Sequence, residues 1–168
     1  DRRQRQMCIR DSSYDTMHLN DIETFPSKLA PGVFERGDIM ISLRNINAVL
    51  VFNLDTERLK FLSIGQFIRQ HDPDFIDGNA ISVFDNNNLF PDNEGHYSKI
   101  IKISAVDGKL TEIYSGNPDQ PFFTNIAGKH QFLPNGNILV TEYEKGRAFE
   151  VNPIGSIVWE YFNIVQDG

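Results

Sequence analysis

The chain has 168 residues, 40% of them hydrophobic and 23% charged, with a formal net charge of −7. That is enough chain for one soluble-type domain with a real core. It has neither the basic stripe of a nucleic-acid binder nor a run long enough for a membrane-spanning helix.

The first eleven residues stand apart. Asp1–Asp11 is strongly basic within an acidic chain and has neither helix nor strand period. Arg2–Asp11 resembles the translated read-through of a sequencing adapter, of the kind found at the ends of metagenomic contigs. Residues 1–11 are therefore set aside as a non-native tail, and 12–168 are expected to form the fold. Without them 12 basic and 21 acidic residues remain, a net charge of −9, and Cys8, the only cysteine, goes too. No disulfide is then possible, and redox compartment cannot be read from cysteine usage.

From Ser12 onward short apolar runs alternate with Gly, Asn, Asp and Pro turns, which predicts an all-β chain. Leu59–Phe67 is compatible with a helical turn, but Gly65 and its β-branched neighbours favour strand and loop. The runs recur in three units. His18 is followed by Gly37–Ser42, Ala48–Asn53 and Leu59–Leu62. His71 is followed by Gly78–Val83, Lys99–Ser104 and Lys109–Tyr114, and His130 by Gly136–Thr141, Arg147–Asn152 and Ser156–Tyr161.

The histidines are 53 and then 59 residues apart. Four strands per unit at that period predicts blades of a β-propeller, at about 14–66, 67–124 and 125–168. A sandwich of regular hairpins is the alternative, but it does not require a histidine at the start of the same strand each time. Three blades cannot close a ring of four to eight, so a partial propeller is expected, about half of a six-bladed ring. Its cut edges are expected to expose unpaired strand groups.

Rotation about a propeller axis predicts that His18, His71 and His130 converge at one end of the channel. Three imidazoles there suit either of two chemistries. One is a metal site. The other is covalent catalysis by one imidazole, with Arg44, Asn20, Asn45 and Arg69 holding an anion. The plain alternative for the Arg69–Asn88 hairpin is a surface turn in which His71 bonds Asp72.

The motifs His18-Leu19-Asn20, Ser42-Leu43-Arg44-Asn45, Gln70-His71-Asp72 and Val83-Phe84-Asp85-Asn86, with the Leu133–Asn137 turn, resemble the bacterial arylsulfotransferases. The resemblance runs through most of Tyr14–Asn163. It implies a six-bladed propeller that moves a sulfuryl group from an aryl sulfate to a phenolic acceptor. The route is ping-pong, uses a transiently sulfated histidine, and needs no nucleotide donor, metal or other cofactor. By that resemblance His71 is the histidine that becomes sulfated, and His18, Asn20 and Arg44 hold the sulfuryl oxygens. Asn45, Arg69, His130, Asp85 and Asn86 are carried as substrate contacts, and the natural protein is expected in the periplasm or secreted. There are departures. A further family histidine from an earlier blade has no counterpart after Ser12, and the family threonine falls near Thr124–Ala127 with a poor local match. Pro26–Arg36 lengthens the hairpin between His18 and Arg44, and His130 stands where the family often has none. A chain incomplete in this way is expected to be inactive by itself. The readings kept beside sulfuryl transfer are a non-catalytic binding propeller and a metal enzyme using His18, His71 and His130. His96 is expected in a solvated loop, and among Phe67, Phe75, Phe84, Phe90, Phe122 and Phe123 one or two are expected to line an aryl pocket.

Overall fold

The computed structural model describes residues 15–88 and 96–163. The proposed tail, Cys8 and Phe90 lie outside the described residues. Twelve strands form three four-stranded antiparallel meanders, and no α-helix occurs among the described residues. The first sheet is β1 (Leu19–Thr24), β2 (Asp38–Leu43), β3 (Ala48–Asn53) and β4 (Arg58–Ile64). The second is β5 (His71–Asp77), β6 (Ala80–Asp85), β7 (Lys99–Ser104) and β8 (Leu110–Ser115). The third is β9 (Lys129–Phe132), β10 (Ile138–Glu142), β11 (Arg147–Val151) and β12 (Ile157–Phe162). Leu59–Leu62 is thus strand, not helix. The first strands lie side by side, β5 touching both β1 and β9, as in successive blades of a propeller.

The core sits between sheets rather than inside one. One apolar layer joins the first two sheets through Met40, Val49, Val51, Phe75, Ile81, Val83 and Ile103. A second joins the last two through Phe84, Ile100, Tyr114, Phe122, Val140 and Phe149. The middle sheet is therefore covered on both faces, and every residue of β6 is buried. This explains why Ala80–Phe84 is apolar on both faces but for Ser82, where a sheet covered on one face would alternate. On the open outer faces Leu59, Leu62 and Ile64 are exposed in the first sheet, and Trp159 and Tyr161 in the third. What the stack leaves open is thus the apolar faces of its two outer sheets. The expectation of bare strand edges was misplaced, because blades meet face to face.

The Pro26–Arg36 insertion belongs to the core. Phe34 is fully buried, its amide donates to the Gly78 carbonyl at 2.7 Å, and its ring packs edge-on against Phe61 and Phe75. The loop docks on the two-residue Gly78-Asn79 turn that joins β5 to β6. Here Asn79 N–H bonds the Asp77 carboxylate at 2.6 Å, the local bond that makes Asx residues turn formers.

Gly128 precedes β9 at φ +112°, and a Cβ there would collide with the Phe84 ring. Both backbone strain and overpacking follow. Gly128→Ala is expected to destabilise the chain by about 2 kcal/mol, read as a lower denaturant midpoint at unchanged slope.

Candidate functional site

The inner ends of β1, β2 and β5 bring four of the expected residues together. The backbone does this first: Arg44 N–H donates to the His18 carbonyl at 2.9 Å and Asn45 N–H to the Met17 carbonyl at 3.0 Å. A short 3₁₀ turn, Arg44–Ile46, closed by Asn47 in the left-handed region, then holds the Arg44 side chain beside the first strand. His18 itself is left-handed (φ 51°), with its Nδ1 2.5 Å from the Asp15 carboxylate and its side chain 43% exposed. Asn45 Nδ2 anchors the Asp15 carbonyl at 2.6 Å, and its Oδ1 accepts from Arg44 Nη1 at 3.1 Å.

His71 opens β5 and is half-buried, with Nδ1 2.7 Å from Asn86 Oδ1. Burial lowers its pKa below the ordinary 6.5, and the Arg44 and His18 charges lower it further, against the Asn86 amide and Arg69 carbonyl that favour protonation. Arg44 is depressed by burial and by the like charge of Arg69. Two guanidiniums that feel each other beside a neutral-biased imidazole make a place suited to an anion. Arg69 is exposed, and its left-handed backbone (φ 51°) is held by Asn47 Oδ1 at 2.8 Å.

Below this mouth, Asn20 Nδ2 donates to the Gln70 carbonyl at 2.8 Å, which commits one of its two N–H bonds. Gln70 is fully buried and donates to Ser42 Oγ at 3.0 Å and the Ala48 carbonyl at 2.9 Å. Ser42 and Gln70 therefore position the strand that carries His71. Sequence reasoning quoted Gln70 within a motif but gave it no role, though it lies at the centre of a buried hydrogen-bond set.

Three expected placements are corrected. His130 does not converge with the other histidines. Taking Gly78 and Gly136 as matching points, Glu142 of β10 corresponds to Phe84, the ladder partner of His71, so residue 128 holds the place of His71. His130 lies two residues further, opposite Val140, in the ladder position of Asp74. Its side chain is fully buried, with Nε2 2.7 Å from Ser82 Oγ and Nδ1 3.1 Å from the Asp72 carboxylate. The three-histidine metal site falls with that offset. One ligand atom each from Asp72, Asp74 and His130 lies within 4.8 Å of the others, but Asp72 is already taken by Lys129 Nζ at 2.7 Å and the His130 amide at 2.6 Å.

Second, the bond between His71 and Asp72 does not exist; His71 pairs with Asn86. Third, the buried Asp85 carboxylate receives the amides of Ile68 at 2.8 Å and Asn87 at 2.9 Å, and lines a cleft with Lys99 and Glu112. It ties turns together. Phe67, Phe75, Phe84 and Phe122 are core, Phe123 is half-buried, and His96 is half-buried beside the loop. Thr124 is buried and its hydroxyl is spent on the Ile126 carbonyl at 2.8 Å.

Opposite in sign is the seam of β1 and β5, where Asp21, Glu23, Asp72 and Asp74 repel one another. Burial first, then Asp74, pushes Glu23 up from 4.5 to about 7. A carboxyl raised on folding adds stability that is fully present below 4.5 and lost as pH rises through 7. Glu23 is partly solvated, so Glu23→Gln is expected to exceed the parent by about 1 kcal/mol near pH 8 and to match it near pH 4. Chemical denaturation at both pH values reads the difference.

Comparison with solved structures bears out the fold. The chain is similar to a Bacteroides caccae protein of unknown function (14% identity, TM-score 0.54, covering 87% of this chain and 46% of that one). It is similar also to the virginiamycin B lyase of Staphylococcus aureus (19%, TM-score 0.53, 90% and 43%). A third is the periplasmic gluconolactonase of Pseudomonas aeruginosa (13%, TM-score 0.50, 88% and 40%). The neighbours are β-propellers, and the chain spans less than half the length of each of these three. No helix among the described residues is long and apolar enough to cross a membrane. No curated protein matches the sequence. The family model for arylsulfotransferase (ASST) matches residues 7–164, nearly the whole chain, and with that match the chain belongs to the arylsulfotransferase family.

Proposed function

We propose that this chain carries the sulfuryl-transfer centre of an arylsulfotransferase, with His71 as the nucleophile. The observation that supports this best is a half-buried imidazole, biased to its neutral form, in the field of Arg44. A neutral ring nitrogen has the lone pair that attack on sulfur requires, and a guanidinium beside it meets the charge on sulfuryl oxygens. In the first half-reaction the ring nitrogen bonds sulfur while the sulfur–oxygen bond to the aryl group breaks, and the phenolate leaves with the electron pair. In the second, a phenol oxygen bonds sulfur, the nitrogen–sulfur pair returns to the ring, and the phenol proton passes to solvent. No nucleotide donor enters either step.

Arg44, His18 and the free N–H of Asn20 are the groups for the sulfuryl oxygens, and Arg69 widens the positive mouth. Asn45 acts on Arg44 and Asp15. His130 and Asp85 take structural parts in this reading. Three sheets are fewer than a closed ring needs, so turnover belongs to a complete propeller, six-bladed by family resemblance, and its place is the periplasm.

The test is release of phenol from a chromogenic aryl sulfate by the full-length protein, with transfer to a second phenol. Absence of turnover with every aryl sulfate tried would defeat the proposal. The pH profile adds a sign. Because only neutral His71 attacks, the first half-reaction should be flat above pH 6.5 and fall below it, with the inflection under the ordinary histidine value. An inflection above 6.5 would contradict it.

A further inference from the structure

We infer that Asn86 sets the tautomer of His71, so that the ring offers a bare Nε2 to the reacting sulfur. Asn86 is fully buried, at the exit of β6. Its Nδ2 donates to two backbone carbonyls, Thr124 at 3.0 Å and Ala127 at 2.8 Å. Carbonyls only accept, so both N–H bonds must face them; turning the amide over would set its oxygen against two oxygens. The amide oxygen is thereby aimed at His71 Nδ1, 2.7 Å away. An amide oxygen also only accepts, so Nδ1 must carry the hydrogen. Burial favours the neutral ring, and a neutral imidazole protonated at Nδ1 has its lone pair on Nε2.

The two carbonyls are themselves held. Thr124 N–H donates to Ser98 Oγ at 3.1 Å, Asn88 Nδ2 to the Asn125 carbonyl at 2.9 Å, and Asn125 N–H to the Glu144 carboxylate at 2.6 Å. Ala127 sits left-handed (φ 56°), which turns the chain so that its carbonyl reaches Asn86. The loop between the second and third sheets thus acts on the chemistry through one amide. With its oxygen on His71 and both amide N–H bonds on the loop, the Asn86 side chain has no donor left for a sulfuryl oxygen. Asn86 is a positioning residue, not the substrate contact its motif suggests.

The catalytic meaning of this tautomer rests on the sulfuryl-transfer reading; the tautomer itself does not, and it is measured without substrate. The 168-residue chain has four histidines. Long-range proton–nitrogen correlation of the ¹⁵N-labelled chain at neutral pH resolves their ring nitrogens. The expected result is a protonated Nδ1 and a bare Nε2 on His71. In Asn86→Ala the ring should revert to the Nε2–H form that free imidazole favours. In the full-length enzyme that variant should slow the first half-reaction about tenfold, the worth of one hydrogen bond. Its acid limb should move to lower pH, because Asn86 favours the protonated ring. A shift of the acid limb separates positioning from a merely structural loss. A His71 protonated at Nε2 in the parent, or an unchanged tautomer in a folded Asn86→Ala, would overturn the inference. If Asn86→Ala fails to fold, the parent's tautomer decides alone. A correct tautomer without turnover would leave Asn86 as assigned and defeat only the sulfuryl-transfer reading.

Discussion

Replacing His71 by alanine is expected to lower aryl sulfate turnover in the full-length protein by about 10⁴-fold or more, because it deletes the group that bonds sulfur. The substitution should not unfold the chain. His71 is half-buried at the first position of β5, and its side chain is held chiefly by its bond to Asn86. Loss of that bond costs about 1 kcal/mol. Thermal unfolding of the variant beside its turnover separates the two effects. Variants of His130 should show the reverse pattern, since its ring is buried against Ser82 and Asp72 and faces the inter-sheet seam. His130→Ala should therefore lose stability by about 2–3 kcal/mol while the catalytic groups remain in place. If His71→Ala kept turnover and His130→Ala lost it, the assignment of the two histidines would be inverted.

Arg44→Ala should be the second largest loss, about 10²- to 10³-fold in kcat/KM, the usual cost of removing a donor aimed at developing charge. The side chain is only half-buried and bonds the exposed Asn45 next to it, so the fold has little need of it. Arg44→Lys keeps the charge but not the planar fork, and about a tenfold deficit should remain. Removing Arg44 should also let the His71 pKa rise, since the guanidinium is one of the causes holding it down. The acid limb of the pH profile then moves up, opposite in sign to Asn86→Ala. Steady-state rates across pH for the three variants check the size and the sign together.

Much of the fold was legible because a propeller repeats. Each strand is a short apolar run closed by a turn residue, and the recurring Gly-x starts of β2, β6 and β10 mark the register in all three sheets. The site was legible where motif and backbone agree: His18, Arg44 and His71 converge because β1 and β5 start, and β2 ends, at the same end of adjacent sheets. His130 shows where the reasoning stopped. Its distance from His71 was near a blade repeat, but it lies two positions further along its strand, and β5 carries an irregular register between His71 and Asp74. Sequence spacing carries no trace of that bulge. The partners of side chains were equally hidden. Asp72 reaches Lys129, 57 residues on, and Asn86 reaches Ala127, 41 residues on, whereas local reading pairs a residue with its neighbour. Gln70 and Ser42 stood in the motifs without a role, yet they form the buried floor beneath His71.

The central claim is tested most directly by intact mass. The full-length protein is mixed with a chromogenic aryl sulfate without acceptor, quenched, and weighed beside its His71→Ala variant. The account predicts one added sulfuryl group on the parent, none on the variant, and its disappearance when a phenol is supplied. An unmodified parent, or an adduct that survives in His71→Ala, would contradict it.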